Sequence, residues 1–287
     1  MINRLCIIGV GLIGGSLARD LKREKLVGEV VGSSRNASNL KRAVELGVVD
    51  RYDTDIAAAV IGADMVVVAV PLGATAEVFS ALESNLDSGA VVTDVGSAKG
   101  SVLKAAADAF GAVPDFLVPA HPIAGTEHSG VEASMEGLFR DRMVIITPAA
   151  QTRADALEKV KSMWQATGAK ITEMSPLHHD EVLAATSHLP HMLAYTLVDV
   201  LGRMEERVEI FRYAAGGFRD FTRIASSDPQ MWHDICLANR DALVHALEHF
   251  SDDLGEAIDA IRRGDSAAIK SLFTRAKALR DRYTKNG

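Results

Sequence analysis

The sequence predicts an α/β protein in which an N-terminal doubly wound, mostly parallel sheet is followed by an all-α helical domain. Short Val- and Ile-rich runs alternate with amphipathic stretches as far as residue 174. Each strand candidate is apolar along nearly its whole length, the pattern of parallel strands covered on both faces. From Ser175 onward only helical periodicity is found.

The elements follow in order. "RLCIIGV" (4–10) reads as a strand, "LIGGSLARDLKRE" (12–24) as a helix, "EVVGSS" (29–34) as a strand and "NASNLKRAVELG" (36–47) as a helix. The alternation continues through "ADMVVVAV" (63–70), "ATAEVFSALES" (74–84), "AVVTDV" (90–95), "SVLKAAADAF" (101–110), "DFLVPA" (115–120) and "RMVIIT" (142–147), and ends at "AKITEM" (169–174). The domain boundary is therefore placed between 173 and 174, giving domains 1–173 and 174–287. In the second domain, Pro176, Pro190 and Pro229 are candidate helix starts or breaks, and Gly216-Gly217 a turn. Leu183, Leu189, Leu193, Leu197, Val200 and Leu201 recur at helical spacing. A helical region this apolar is expected to form an intersubunit interface in a homodimer.

Composition narrows the function classes. The 287 residues are 48% hydrophobic with mean hydropathy +0.10, as in a globular protein. The formal charge is −7, with no basic run to track a phosphate backbone, so nucleic acid is not an expected partner. No run approaches the roughly 20 apolar residues of a membrane span. Cys6 and Cys236 are far apart and Cys6 lies in an apolar strand, so two buried thiols in a reducing, cytoplasmic setting are expected.

Gly9-Val10-Gly11-Leu12-Ile13-Gly14 is a GxGxxG that directly follows a strand and opens a helix. In that context it marks a Rossmann-type dinucleotide site. Gly9 allows the tight turn, Gly11 the approach of a pyrophosphate and Gly14 the packing of helix on strand. Val70 and Pro71, where a later strand ends, belong to the same expected cleft. An NAD site commonly has an acid about 20 residues past the glycines. Here Ser33, Ser34 and Arg35 stand instead, with no carboxylate to repel a 2′-phosphate, which favours NADP over NAD. The competing reading makes Arg35 an ordinary solvated residue heading the next helix.

Carboxyl ends of parallel strands are where such sheets bind ligands. "TDVGSAKG" (93–100) places Asp94, Ser97 and Lys99 there, and "HPIAG" begins where "FLVPA" ends, putting His121 beside the expected nicotinamide. In the helical region, His188 and His191 lie three apart, and Arg219 and Arg223 lie four apart with Asp220 between them. Two arginines in apolar company suit an anionic substrate, although a salt bridge to Asp220 or Glu127 would also account for them. No HExxH or CxxC spacing occurs, and the adjacent His178 and His179 point to different helical faces, so no metal site is expected.

"GVGLIGGS", "TDVGSAKG", "HPIAGTEHSGVEAS", "LAATSHLPH", "FRYAAGGFRDFTRIASSDPQMW" and Asn239-Arg240, in that order, closely resemble the prephenate and arogenate dehydrogenases, the cyclohexadienyl dehydrogenases of tyrosine biosynthesis. The resemblance implies a Rossmann domain followed by a helical dimerisation domain. It also implies an NAD(P)-dependent oxidative decarboxylation of prephenate to 4-hydroxyphenylpyruvate and CO2, with arogenate as a further candidate substrate. Carried over residue by residue, it makes His121 the base for the substrate's C4 hydroxyl and Ser97 its hydrogen-bonding companion. His188 would contact substrate, Arg223 would bind its side-chain carboxylate, and Glu127 and Asp220 would form an ionic gate with Arg223. The missing acid after the second strand departs from the commoner NAD pattern. Two other readings compete. A β-hydroxyacid-type NADP dehydrogenase would normally rely on a lysine in its helical domain, yet none occurs between Ser175 and Ala260. A non-catalytic dinucleotide sensor would have no use for His121, Ser97, His188 and Arg223 together.

Overall fold

The structure is a computed structural model that describes residues 1–284 apart from Glu127, Glu205 and Glu206. Six parallel strands form the main sheet: β1 (Ile2–Ile8), β2 (Val27–Ser33), β3 (Arg51–Asp53), β4 (Met65–Val68), β5 (Val91–Asp94) and β6 (Leu117–Val118), in the order β3-β2-β1-β4-β5-β6. The order runs outward in one direction from β1 and in the other from β4. A crevice therefore opens at the carboxyl ends of these two strands, where ligands bind in open α/β sheets. The strands alternate between two apolar layers. Leu5 and Ile7 of β1 join Leu17, Leu21, Leu40, Met65, Val67 and Trp164 on one face, while Cys6 and Ile8 join Val31, Val66, Val68, Phe79, Leu82 and Val102 on the other. Burial on both faces explains why the strands read as continuous apolar runs.

The helices between these strands are α1 (Leu12–Arg23), α2 (Ala37–Glu45), α3 (Ile56–Ala59), α4 (Thr75–Leu82) and α5 (Lys99–Phe110). α2 is capped by the Asn36 side chain, which accepts from Asn39 N–H, and α3 by Asp55, which accepts from Ala57 N–H. α1 begins at Gly11 with no side-chain cap, so its first N–H groups face the crevice.

After β6 the structure departs from the single sheet expected. "FLVPA" is not one strand. Pro119 has no N–H to continue the ladder, and β7 (Ala120–Pro122) turns into a second sheet, antiparallel to β8 (Met143–Ile146), which pairs in parallel with β9 (Lys170–Glu173). Between β8 and β9, α6 (Ala154–Ala166) packs Trp164 edge-on against Phe139, with ring centroids 5.1 Å apart.

From Pro176 onward every described element is helical. α7 (Pro176–Leu183) starts at its Ser175 cap with Pro176 in the first turn. A five-residue π-helical stretch, Ala184–His188, joins it to α8 (Leu189–Gly202). The cause is Pro190, which cannot donate to the preceding turn and whose ring crowds it; a wider turn accommodates both. α9 (Arg207–Arg212), α10 (Gly216–Thr222) and α11 (Pro229–Ala238) follow. Gly216 and Gly217 open α10 rather than forming the expected turn. Tyr195 Oη donates to Ser227 O at 2.6 Å, anchoring the segment before α11 to α8.

The chain forms two compact units, Met1–Arg240 and Asp241–Gly287. In the second, most of α12 (Arg240–Arg262) and α13 (Ser266–Thr284) are joined at Gly264, whose φ of +66° suits the left-handed turn. Val244, Phe250, Leu254 and Ile258 on α12 and Leu272, Phe273 and Leu279 on α13 are exposed. No described helix is long and apolar enough to cross a membrane.

Candidate active site

The glycine turn fits a dinucleotide. Gly9 has φ +98°, and a Cβ there would lie 2.3 Å from Ala69 O; a Cβ on Gly14 would meet Gly9 O at 2.6 Å. These two glycines are demanded by backbone packing. Gly11 is different, because among the described residues nothing lies within 4 Å of where its Cβ would be. That free space stands before the uncapped N-terminus of α1, where N–H groups and the helix dipole favour a phosphate. A cavity of about 600 Å³ runs from Gly9 and Gly11 past Val70 and Pro71 to Ser34 and Arg35. Leu12, Ile13 and Gly14 do not line it, and Ser33 is fully buried, its hydroxyl without a partner among the described residues and its carbonyl accepting from Gly9 N–H. Asn36, Asn39, Thr54, Asp55 and Glu77 also line it and were not singled out from the sequence. Glu77 lies 4.0 Å from the exposed Arg35 guanidinium.

β5 and β7 bring the next group together. Lys99, fully buried at the start of α5, donates from Nζ to Asp94 Oδ2 at 2.5 Å and to Ala120 O at 2.8 Å. Asp94 Oδ1 also accepts from Ala120 N–H. Asp94 and Lys99, expected to face the cleft, instead form a buried clamp on the residue before His121, while Ser97 is partly buried. Burial pulls the Lys99 ammonium below its ordinary range, with Asp94 opposing.

His121, partly buried at the centre of β7, contacts a residue the sequence reading dismissed. Its Nδ1 lies 2.9 Å from Nε2 of His179, whose Nδ1 lies 2.8 Å from Asp180 Oδ1. Asp180 also accepts from the amides of Lys99 (2.7 Å) and Gly100 (2.8 Å), and so occupies the N-terminus of α5. Burial pushes the Asp180 carboxyl up, but His179 and those two amides outweigh it and hold it below the usual carboxylate range. His121 is driven well below its ordinary value by desolvation first, then by the Lys99 charge, His179 and His188. It is therefore a neutral imidazole near pH 7.

The π-helical turn delivers His188 to the same region, fully buried. Asn239 Nδ2 donates to Asp180 O at 2.8 Å and lies 3.0 Å from His188 Nδ1, so it supplies a proton to that nitrogen as well. A neutral His188 then carries its hydrogen on Nε2, which has no partner among the described residues and remains an available donor. His191 stacks on Trp232 with centroids 3.7 Å apart, and its basicity is lowered by burial and by the Arg223 charge. Arg219, Asp220 and Arg223 are exposed, with no ion pair among the described residues. Glu127 lies outside the described residues. Asp234 of α11 accepts from Gly73 N–H, tying that helix to the turn after Pro71. Among the described residues, no group of three or more His, Cys, Asp or Glu side chains could hold a metal. Cys6 is buried and Cys236 half-buried, both as free thiols.

A six-stranded parallel sheet with a glycine cradle at its switch-point crevice, together with a neutral histidine on β7, defines an NAD(P)-dependent oxidoreductase. Comparison with known proteins gives the family. The family model of the prephenate dehydrogenase nucleotide-binding domain matches residues 17–173, and that of the prephenate dehydrogenase dimerization domain matches residues 175–275. The chain belongs to the prephenate dehydrogenase family. It is 39% identical to the cyclohexadienyl dehydrogenase of Zymomonas mobilis over 98% of this chain and 96% of that one. It is 34% identical to the prephenate dehydrogenase of Bacillus subtilis over 98% of this chain and 76% of that one. Prephenate dehydrogenase from A. aeolicus, solved with hydroxyphenyl propionate and NAD+, superposes with TM-score 0.91 at 36% identity, covering 99% of each chain.

Proposed function

We propose that the protein oxidatively decarboxylates prephenate to 4-hydroxyphenylpyruvate and CO2, with arogenate as a second substrate to be tested, in tyrosine biosynthesis. The observation that carries this is the neutral His121 on β7, its Nδ1 engaged by His179, an arrangement that leaves Nε2 as the nitrogen for substrate. His121 Nε2 accepts the proton of the C4 hydroxyl, and Ser97 hydrogen-bonds the same oxygen. The nicotinamide, when bound, supplies the acceptor for the hydride on C4. Loss of the ring carboxylate as CO2 leaves an electron pair that makes the ring aromatic, and His121 returns the proton to the oxygen, now phenolic. His188 donates from Nε2 to a substrate oxygen. Arg223, with Arg219 nearby in sequence, binds the side-chain carboxylate, and Asp220 and Glu127 gate it.

The glycine turn, Leu12 and Ile13 at the start of α1, Val70 and Pro71 hold the dinucleotide. NADP is the proposed preference, because Arg35 lines the cavity and β2 ends in Ser33 and Ser34 without a carboxylate. Glu77 opposes this preference, which makes the comparison of the two cofactors informative. Residues 174–287 serve as a substrate-binding and dimerisation domain, through which two copies pair in the cytoplasm. Absorbance at 340 nm with prephenate and each dinucleotide tests the reaction. Reduction of NAD alone would remove the NADP assignment, and no reduction with either prephenate or arogenate would remove the catalytic reading.

A further inference from the structure

The line His121–His179–Asp180 continues past the base that the proposed reaction uses. Asp180 is anchored by two backbone amides at the N-terminus of α5 and is ionised at neutral pH, so it accepts and does not donate. His179 must then present N–H from Nδ1 to Asp180 and a lone pair from Nε2 to His121. His121 in turn must carry its proton on Nδ1, leaving the Nε2 lone pair as its free basic nitrogen. The tautomer of the base is therefore set two residues away, by a carboxylate on another helix.

The charges around the two rings differ. His121 is bordered by the Lys99 ammonium from α5 and by His188 from the π-helical turn, with Asp94 beyond Lys99. His179, fully buried, rests against the Asp180 carboxylate. The first ring faces the Lys99 ammonium and the second the Asp180 carboxylate, so a proton passed from the first to the second moves away from a cation and toward an anion. We propose that His179 and Asp180 are positioning residues that lock His121 as the Nδ1–H tautomer and store the substrate's proton during each turnover. As Nε2 of His121 gains the proton, its Nδ1–H bond breaks and an N–H bond forms at His179 Nε2, placing the cation against Asp180. When the ring becomes aromatic, the same bonds reverse and the proton returns to the phenolic oxygen. No net proton leaves, in keeping with a relay that ends in a buried carboxylate.

This inference rests on the prephenate reading for the storage step, while the tautomer assignment does not. The test uses the full-length protein, 15N-labelled at histidine, and His179→Gln, with Asp180→Asn as a second variant. In the parent, 15N chemical shifts should show His121 and His179 each with a protonated Nδ1 and an unprotonated Nε2. In His179→Gln, His121 should become a tautomer mixture. With prephenate, His179→Gln should lose about 10- to 100-fold in kcat, less than the 10²–10⁴ of a lost general base, while KM changes less than twofold and circular dichroism is unchanged. A His121 tautomer that is the same in parent and variant, or a kcat within twofold of the parent, overturns the proposal. Turnover absent in the parent, with the expected tautomers present, would overturn the prephenate reading and the storage step and leave the tautomer lock standing.

Discussion

Lys99 and Asp94 form an ion pair of 2.5 Å with both side chains sealed from solvent, and the same ammonium holds the carbonyl of Ala120, next in sequence to His121. Removing one partner of a buried pair leaves an uncompensated charge, which costs about 3–5 kcal/mol. Lys99→Met should lower the urea-unfolding free energy by about that amount, and Lys99→Met with Asp94→Leu should recover most of it. A single-variant loss below about 1 kcal/mol, the range of an exposed pair, would show that solvent reaches the clamp.

The three motif glycines should separate into two kinds. A Cβ on Gly14 meets backbone at 2.6 Å and Ile7 Cγ2 at 2.8 Å, so Gly14→Ala should destabilise the fold by about 1–3 kcal/mol, the usual range of core overpacking. Gly11→Ala meets no atom of the described residues within 4 Å and should leave the melting temperature within about 1 °C, since surface changes fall within ±0.5 kcal/mol. It should nonetheless weaken dinucleotide binding at least tenfold by isothermal titration, because its methyl fills the phosphate's approach. Equal affinity in Gly11→Ala and parent would move the pyrophosphate elsewhere.

Gly9 and Gly11 were legible because their signal is local, a turn chemistry between strand and helix; His121 was expected where a strand of the main sheet ends, whereas it sits at the centre of β7 in the second sheet. His179 was not. Its partner is 58 residues away, and an adjacent His-His on a helix says only that one ring faces inward. What it meets there is decided by the packing of α7 against α5, a tertiary fact. The second sheet was hidden for a related reason, since Leu117, Val118 and Ala120 are all fully buried and read as one run. Only the proline between them marks the exchange. Lys99 illustrates the reverse error: a charged residue at a strand's carboxyl end suggested the cleft, whereas its charge is consumed inside by Asp94.

His188 ties stability to pH. Burial, opposed by Asp180 and reinforced by His179 and His191, lowers its imidazole from 6.5 to about 4. Above about 6.5 it is neutral folded and unfolded, so it contributes no pH dependence. As pH falls from about 6.5 to about 4 the unfolded chain binds a proton the folded chain refuses, and stability falls, by at most about 3 kcal/mol at 1.36 kcal/mol per unit. His188→Asn should flatten the slope of unfolding free energy between pH 6.5 and 4.5. An unchanged slope would assign the acid sensitivity to other groups, His121 first.

Arg35 should act on one cofactor only. A guanidinium on a 2′-phosphate contributes about 1.5–3 kcal/mol, so Arg35→Ala should raise the KM for NADP about 10- to 150-fold and leave that for NAD within twofold. Glu77→Gln should move the ratio the opposite way, since Glu77 lies 4.0 Å from the same guanidinium. Equal losses with both dinucleotides would mean that Arg35 holds the adenine side of the cavity without reading the phosphate.

His121 and Arg223 should fail in different parameters. A base used only as the proton leaves C4 stabilises the transition state more than the bound substrate. His121→Asn should therefore lower kcat about 10²–10⁴-fold with little change in KM. Because burial and the Lys99 charge hold His121 well below its ordinary value, the acid limb of kcat/KM should lie below pH 6.5, and in Lys99→Met it should move upward as that repulsion is lost. Arg223 is exposed and its proposed contact, with a carboxylate remote from C4, is the same in ground and transition states. Such uniform binding predicts a raised KM with kcat nearly unchanged in Arg223→Ala. Steady-state kinetics with prephenate across pH 5 to 9 measure both. A kcat loss in Arg223→Ala matching that of His121→Asn would place the arginine at the reacting carbon and require the substrate to lie reversed in the site.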